Sequence, residues 1–556
     1  MLFSFYSLRE ELREKQNALS RVDISNSRAA LAAFLLPLSP YVYKIGLMKN
    51  EKTVVVIGAG LSGMTAGIYL LKHGYKVILL EKNPSVGGLC TGWTRQGRYI
   101  DGCIHWLSGT KENHLCYDIW KTIGAFSSQD DLIYVDTWGT FNYEGKTVRF
   151  LRDYKKAEEE WLTIAPEDSK EIKRFFRMVK AFIDVYLPTE RPANMLPFNE
   201  MMKLIGSVIK HPSYITTMKM NLDEYSRRFK NSAIRWAMAH SQPGPGNLFS
   251  MIFSYATVAG NSGAVPVGGS KPFVERIKNR FLEMGGELML NADVRKINIE
   301  MCDVKSVSLR NGTVISCDHL VSAIDPNYTL DVLLDNQYIY SPIQKRKKDY
   351  FKYPTISSVL VSYEVEDMKL YAGNSFPVEP FLVAGKQVDY MGIRSYSYDP
   401  LTFVKDNKTV CHTLIDQFDS DYFYWEKLYQ DKVAYRAEKN RIANEVVARI
   451  EKQYPEYKGK INVLDVFTPI TLKRYTNVTR GAYMGLFTEK QPRLTTDGRI
   501  SGINNLFLAS QWLESPGGLP FAVQTGKYAA IRICKQDKIK FDYKNKTYLY
   551  KSVETY

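Results

Sequence analysis

Cysteine is scarce: seven residues in a chain of 556, an odd number with no C-x-x-C pair. That excludes a small disulfide scaffold, leaves a zinc ribbon without ligand pairs, and points to a reducing compartment. Glycine and proline stand at 36 and 23, near average usage, which excludes a collagen-like or low-complexity chain. No apolar run reaches the roughly 18 residues of a spanning helix. No internal repeat is visible, and no recognised DNA- or RNA-binding module appears.

What is present bounds the remaining classes. Hydrophobic residues make up 45% and aromatics 13%, so the chain is not disordered. At roughly 150 residues per domain the length fits two to four units. Lys plus Arg is 74 against 59 Asp plus Glu, a net charge of +15. A basic balance admits nucleic acid, anionic lipid or an acidic ligand as partner. The basic residues are dispersed, so no nucleic-acid partner is expected. At the front, Ala29 to Leu36 is apolar and stopped by Pro37, behind a stretch mixing Glu10, Glu11 and Glu14 with Arg9, Arg13 and Lys15. That is unlike the basic n-region of a signal peptide. Residues 1–48 read as an N-terminal extension, expected to be poorly ordered, or as a start placed ahead of Met48.

Chemistry begins at Lys52. A β-branched run to Ile57 suits a strand buried on both faces. Gly58-Ala59-Gly60-Leu61-Ser62-Gly63 follows and opens a helix over Met64 to His73, ended by Gly74. Tyr75 to Leu80 is a second strand, and Glu81 ends it. Gly58 permits the turn, Gly60 lets backbone approach a pyrophosphate, and Gly63 allows close helix–strand packing. The helix N-terminus offers N–H groups to phosphates. Glu81 can hold ribose hydroxyls, with Lys82 beside it. Strand, glycines, helix, strand and acid together specify a dinucleotide-binding unit. No second G-x-G-x-x-G follows a strand, so a separate NAD(P) domain is not expected.

Later blocks choose the dinucleotide. Asn83-Pro84-Ser85-Val86-Gly87-Gly88-Leu89 resembles the Gly-Gly motif of FAD enzymes. Tyr99-Ile100-Asp101-Gly102-Cys103-Ile104-His105-Trp106 resembles a segment of the carotenoid isomerase and retinol saturase branch of the phytoene desaturase-like flavoproteins. Val265 to Ser270, the strand–hairpin–strand passage from Glu287 to Asp325, and Thr468 to Gly485 are similar to further blocks of that superfamily. So is Asn505 to Ile531, with Pro516-Gly517-Gly518-Leu519 opening its helix. The family usually has Gly, then Asp or Ala, where this chain has Ser510 and Gln511.

The resemblance implies an α/β fold: a Rossmann-like FAD-binding domain of the glutathione reductase type, with a discontinuous α+β substrate domain carrying a helical insert. FAD-binding segments are expected at 49–150, 263–330 and 481–535. A helical substrate or membrane-facing segment is expected at 151–262, a sheet-and-helix substrate domain at 331–480, and a basic tail at 536–556. FAD is the implied cofactor. Its contacts are expected from Gly58, Gly60, Leu61, Ser62, Gly63, Glu81, Lys82, Gly87, Gly88, Leu89, Val294, Gly517, Gly518 and Leu519. Backbone of Val294 would meet the adenine, and the helix opened by Gly518 would face the flavin N1–C2=O edge. No metal site is expected.

The implied reaction is desaturation, saturation or isomerisation of a polyene, isoprenoid or related lipid through hydride transfer at flavin N5, with an unassigned electron partner. His105, Arg474 and Tyr475 are the catalytic candidates, and Trp106 and Trp512 candidate pocket walls. Met195, Met201, Met202, Met218 and Met220 crowd a basic stretch. Met packs adaptably around irregular ligands, and such helices lie on membranes. A cytoplasmic protein, possible peripheral contact with the membrane's cytoplasmic face, and a hydrophobic small-molecule substrate follow. Two other readings stay open. A flavin amine oxidase shares the dinucleotide motifs, but Leu89 departs from its Gly-Gly-Arg habit. A non-catalytic flavin-binding protein is the other.

Overall fold

Strand β1 (Thr53–Ile57) is buried over four of its five residues, as an interior parallel strand of β-branched residues should be. Helix α1 (Leu61–Lys72) follows, and the chain leaves it through Gly74 at φ 84°. Gly74 N–H donates to the Leu71 carbonyl and Tyr75 N–H to that of Leu70, a Schellman ending that returns the chain to β2 (Lys76–Leu80). The computed structural model describes residues 52–183, 185, 188–244, 246–370, 372–486 and 496–543. The expected extension at 1–48 and the end of the basic tail lie outside the described residues.

Downstream come the hairpin β3 (Thr137–Tyr143) and β4 (Lys146–Leu151), then helices α2 (Tyr154–Ile164), α3 (Ser169–Ile183), α4 (Phe198–Lys210) and α5 (Leu248–Ala259). Helix α6 (Ser270–Glu283) leads to β5 (Glu287–Met289), the β6 (Val294–Glu300), β7 (Asp303–Leu309) and β8 (Val314–Ser316) meander, and β9 (His319–Ser322). Long strands β10 (Thr355–Glu366), β11 (Ala372–Val383), β12 (Lys386–Ser395) and β13 (Lys408–Phe418) precede α7 (Lys432–Gln453). Strand β14 (Ile461–Phe467), helix α8 (Pro469–Thr476), strand β15 (Leu506–Leu508) and helix α9 (Leu519–Gln536) complete the order.

Two sheets organise most of these elements, while β6, β7 and β8 form a small antiparallel sheet of their own. The first runs β5-β2-β1-β9-β15, every neighbour parallel. Its strands come from three separated stretches of chain, the discontinuous Rossmann-like arrangement expected. The second runs β14-β10-β13-β12-β11-β3-β4. The residues of the β3–β4 hairpin, almost to its end, fall in the 49–150 stretch expected to bind FAD. The hairpin instead joins the second sheet, β3 pairing in parallel with β11 through Thr140–Asn374 and Phe141–Ser375. Alternation of apolar residues marks a hairpin but not which sheet edge receives it.

Between these sheets in sequence, the helical stretch has its own aromatic core. Trp161 stacks on Phe175 at 5.4 Å with rings 2° from parallel, and Phe150 meets Trp161 edge-on at 5.0 Å. Strands β7 and β8 are joined at the Asn311-Gly312 turn. Only Gly312 takes a positive φ, 91°, and Leu309 closes the loop by donating to the Thr313 carbonyl. The start of the basic tail is packed. Phe541 stacks on His73 at 4.2 Å, and Asp537 accepts bonds from Lys52, Tyr75 and His319.

Candidate functional site

The glycine loop sits at the carboxyl end of β1, against the start of α1. A Cβ on Gly63 would stand 1.9 Å from the Gly58 carbonyl oxygen, so this position admits no side chain. A Cβ on Gly60 would meet nothing nearer than the Gly87 carbonyl at 3.9 Å. Gly60 is thus free of protein packing and faces a cavity of about 860 Å3. Gly87 donates from its N–H to the Ala59 carbonyl, which fastens the second glycine pair alongside the first. Glu81 is 5% exposed. Its carboxylate accepts from Ala59 N–H at 3.0 Å and from the backbone and side-chain amides of Asn83 at 2.9 and 2.8 Å. It therefore braces the loop, besides lining the cavity with Lys82, Leu89 and Val294. Burial pulls the Lys82 ammonium below its usual range.

At the other end of the cradle, α9 begins at Leu519 behind Gly517 and Gly518, both at positive φ. Here the departure at Gln511 has a visible consequence. Its Oε1 accepts from Gly518 N–H at 2.7 Å, and its Nε2 donates to the Tyr483 carbonyl at 2.9 Å. One N–H expected to face a flavin is thus already partnered from within the chain.

The residues present fit a dinucleotide. An unfilled backbone approach at Gly60, a helix N-terminus beside it, and a cavity continuous from Val294 to Gly518 form such a cradle. The volume stands toward the upper end of ordinary ligand pockets, about 300–1,000 Å3.

One wall of the cavity is the second sheet. Strand β12 brings Arg394, whose Nη2 donates to the His105 carbonyl at 2.6 Å. Its Nε has no hydrogen-bond partner among the described residues. Arg394 pairs in register with His412 of β13. The His412 Nδ1 shares a 3.1 Å bond with the Tyr396 hydroxyl, and burial with the neighbouring guanidinium pushes the ring down to about 3. His105 lines the same cavity. Burial first, then Arg394 and His412, hold it well below the usual histidine range, so it is a neutral imidazole. Of the two roles open to a catalytic histidine, giving or taking a proton, a neutral ring leaves the second, its other nitrogen keeping an N–H that can donate a hydrogen bond.

Four residues beyond His412 on the same strand, and so on the same face, is Asp416, opposite Ser358 of β10. Its carboxyl has no hydrogen-bond or ion-pair partner among the described residues. Burial alone raises it to about 7. Arg394, His412 and Asp416 had no motif to announce them; pairing of distant strands puts them in one wall.

The opposite wall is apolar and comes from the helical stretch: Phe182 of α3, Leu204 and Val208 of α4, Phe249 and Phe253 of α5. Trp106 and Trp512 line the cavity as expected. Arg474 and Tyr475 do not. Arg474 is exposed on α8, its guanidinium 5.4 Å from the Tyr429 ring, and its carbonyl accepts from Lys82 Nζ. The Tyr475 hydroxyl shares a bond with Ser85 Oγ, and its carbonyl accepts from Asn83. Both brace the loop after β2 from outside. Among the described residues no cluster of three His, Cys, Asp or Glu side chains forms a metal site.

Comparison with known proteins places this geometry. The chain is 22% identical over 475 residues to "Inactive all-trans-retinol 13,14-reductase" of Danio rerio, covering 77% of each protein. It is 22% identical over 514 residues to "4,4'-diapolycopene oxygenase" of Methylomonas sp, covering 87% of this chain and 98% of the relative. "Prolycopene isomerase, chloroplastic" of Daucus carota is 21% identical over 459 residues, 79% and 73% of the two chains. Among solved structures, putrescine oxidase bound to putrescine superposes with a TM-score of 0.53 at 14% identity, over 87% of this chain and 99% of that one, a likeness of fold. Residues 61–534 match the flavin containing amine oxidoreductases. The chain belongs to that family and is an FAD-dependent oxidoreductase.

Proposed function

We propose that the protein acts on carbon–carbon bonds of a polyene, isoprenoid or related lipid, by desaturation, saturation or isomerisation. The observation that carries this reading is the continuity of one cavity from the glycine cradle to the apolar wall of α3, α4 and α5. A long apolar chain laid along that wall reaches the cradle without exposing a charged group to lipid-like surroundings. The relatives named for retinol, diapolycopene and prolycopene chemistry favour the same substrate class over a small amine.

Gly58, Gly60, Leu61, Ser62 and Gly63 hold the pyrophosphate of FAD in this reading. Glu81, Lys82 and Val294 flank its adenosine, and Gly87, Gly88, Leu89, Gly517, Gly518 and Leu519 its flavin half. Bound flavin supplies hydride exchange at N5. The chain orients the substrate and keeps water out. His105 and Trp106 stand where the sheet wall meets the cradle.

The partner surface is α4. Leu204 and Val208 face inward, while Phe198 and Ile209 are each 73% exposed, with Met201, Met202 and Ile205 between them. Lys203 and Lys210 flank this outward face. An amphipathic helix with apolar residues on both sides suits peripheral attachment to a bilayer, from which substrate enters directly. The seven cysteines are free thiols, in keeping with the cytoplasmic side. Among the described residues no helix is long and apolar enough to cross a membrane.

The test is to load the purified protein with FAD and add all-trans-retinol, 4,4'-diaponeurosporene or prolycopene in phosphatidylcholine vesicles. Conversion of one polyene, followed by its absorption spectrum, is expected. Flavin reduction by putrescine with no polyene converted would overturn the reading.

A further inference from the structure

Five carboxyl groups line the cavity: Glu81, Asp101, Asp293, Asp325 and Asp416. Four are committed to the fold. Glu81 holds Ala59 and Asn83; Asp101 accepts from Cys103, Ile104 and Ser270. Asp293 pairs with Arg310, and Asp325 caps Asn327 and accepts from Thr479. Asp416 alone among them has no protein partner within the described residues. An unpaired carboxyl in such surroundings costs stability and returns no structural contact for it.

Its neighbours cannot do its work. Ser358 Oγ, across the β10–β13 ladder, is also without a partner. Tyr390 of β12 and Tyr483, whose N–H donates to the Ile356 carbonyl of β10, feel its charge, which together with burial raises both phenols. No lysine, arginine or histidine figures among the groups acting on it. Arg394 cannot release its proton, and His105 and His412 are neutral rings with no acid proton to give and, held low by burial and the guanidinium, weak bases.

We propose that Asp416 is the proton carrier of the reaction, the side chain that gives a proton to, or takes one from, the substrate carbon adjacent to the one exchanging hydride. This rests on the carbon–carbon chemistry proposed above. Saturating a double bond consumes one hydride and one proton: the π bond is lost, two C–H bonds form, and the O–H bond of Asp416 breaks to leave a carboxylate. Desaturation runs in reverse: two C–H bonds break and the carboxylate becomes the acid. The flavin couple supplies or accepts the electron pair in either direction.

A carboxyl poised at about 7 serves both directions, with opposite pH dependence. Desaturation needs the carboxylate, so its rate rises with pH through neutrality. Saturation needs the acid, so its rate falls over the same range.

The experiment compares FAD-loaded wild type, Asp416→Asn and Asp416→Glu. Difference infrared spectra across pH 5–9, taken without substrate, should show a carboxyl band titrating near neutrality in the wild type and missing from Asp416→Asn. Flavin content should be equal in all three. Single turnover of 4,4'-diaponeurosporene or all-trans-retinol in vesicles should fall about 100-fold or more in Asp416→Asn. Asp416→Glu should recover part of the rate with a displaced pH profile. A carboxylate ionised throughout that pH range, or Asp416→Asn turning over at the wild-type rate with an unshifted profile, overturns the proposal. So does loss of putrescine binding as the variant's only defect, which marks a cation-binding group instead. A wild type that converts no polyene while the band titrates near neutrality counts against the substrate reading, not against the charge state of Asp416.

Discussion

Gly60 and Gly63 lie three residues apart, and an added methyl group should affect them differently. Gly60 has φ −75°, which alanine adopts freely, and its Cβ would point into open space. Gly60→Ala should therefore unfold within about 1 kcal/mol of wild type yet lose FAD, because the methyl occupies the path of the pyrophosphate. Gly63→Ala places a Cβ 1.9 Å from a backbone oxygen, so both stability and FAD should fall. Thermal unfolding and flavin absorbance separate the two. His412 adds a pH test. It is 1% exposed and held down to about 3, so on acidification the unfolded chain takes its proton first. Its contribution to stability is whole above about pH 6.5 and is lost as pH falls toward 3, by an amount on the order of several kcal/mol. Urea unfolding at pH 7.5 and pH 5 should show His412→Asn losing less stability on acidification than wild type. Asp416 carries the opposite sign, its contribution fading as pH rises through about 7. The glycines were legible in the sequence because a phosphate loop is local. Arg394, His412 and Asp416 were not, since their proximity is set by strand register, and Arg474 and Tyr475 show that a matched block does not say which way a side chain points.

Among the elements, α4 joins packing to the proposed membrane contact most directly. Its spacing was readable as a basic, Met-rich helix; that it has no buried residue was not, because a helical period does not reveal what covers each face. Phe198→Glu combined with Ile209→Glu changes side chains 73% exposed, so stability and FAD content should be nearly unchanged. Sedimentation with vesicles of phosphatidylserine and phosphatidylcholine should drop several-fold. Equal sedimentation of variant and wild type would remove α4 from the membrane contact. The β3–β4 hairpin teaches the complementary lesson. Its residues lay almost entirely inside the expected FAD-binding stretch, but its place beside β11 depends on a parallel pairing more than 200 residues away in sequence.

Across the whole molecule, the first sheet draws β1 and β2 from residues 53–80, β5 and β9 from 287–322 and β15 from 506–508. Such a sheet forms only once distant segments have met, and helix α9 packed on α1 closes it. That discontinuity was legible because each segment carries its own motif. The second sheet has no motif, and its polar wall became visible only in the folded chain. The net charge of +15 is compatible with several anionic partners, among them the lipid surface proposed for α4. The central claim is that the cavity presents a polyene to FAD. The most direct measurement mixes FAD-loaded protein anaerobically with polyene vesicles and, separately, with putrescine, in both oxidised and dithionite-reduced forms, following the flavin and polyene spectra together. A polyene is expected to change its chromophore only when flavin is bound, and putrescine to leave the flavin oxidised. Flavin bleached by putrescine while every polyene stays unchanged would contradict it.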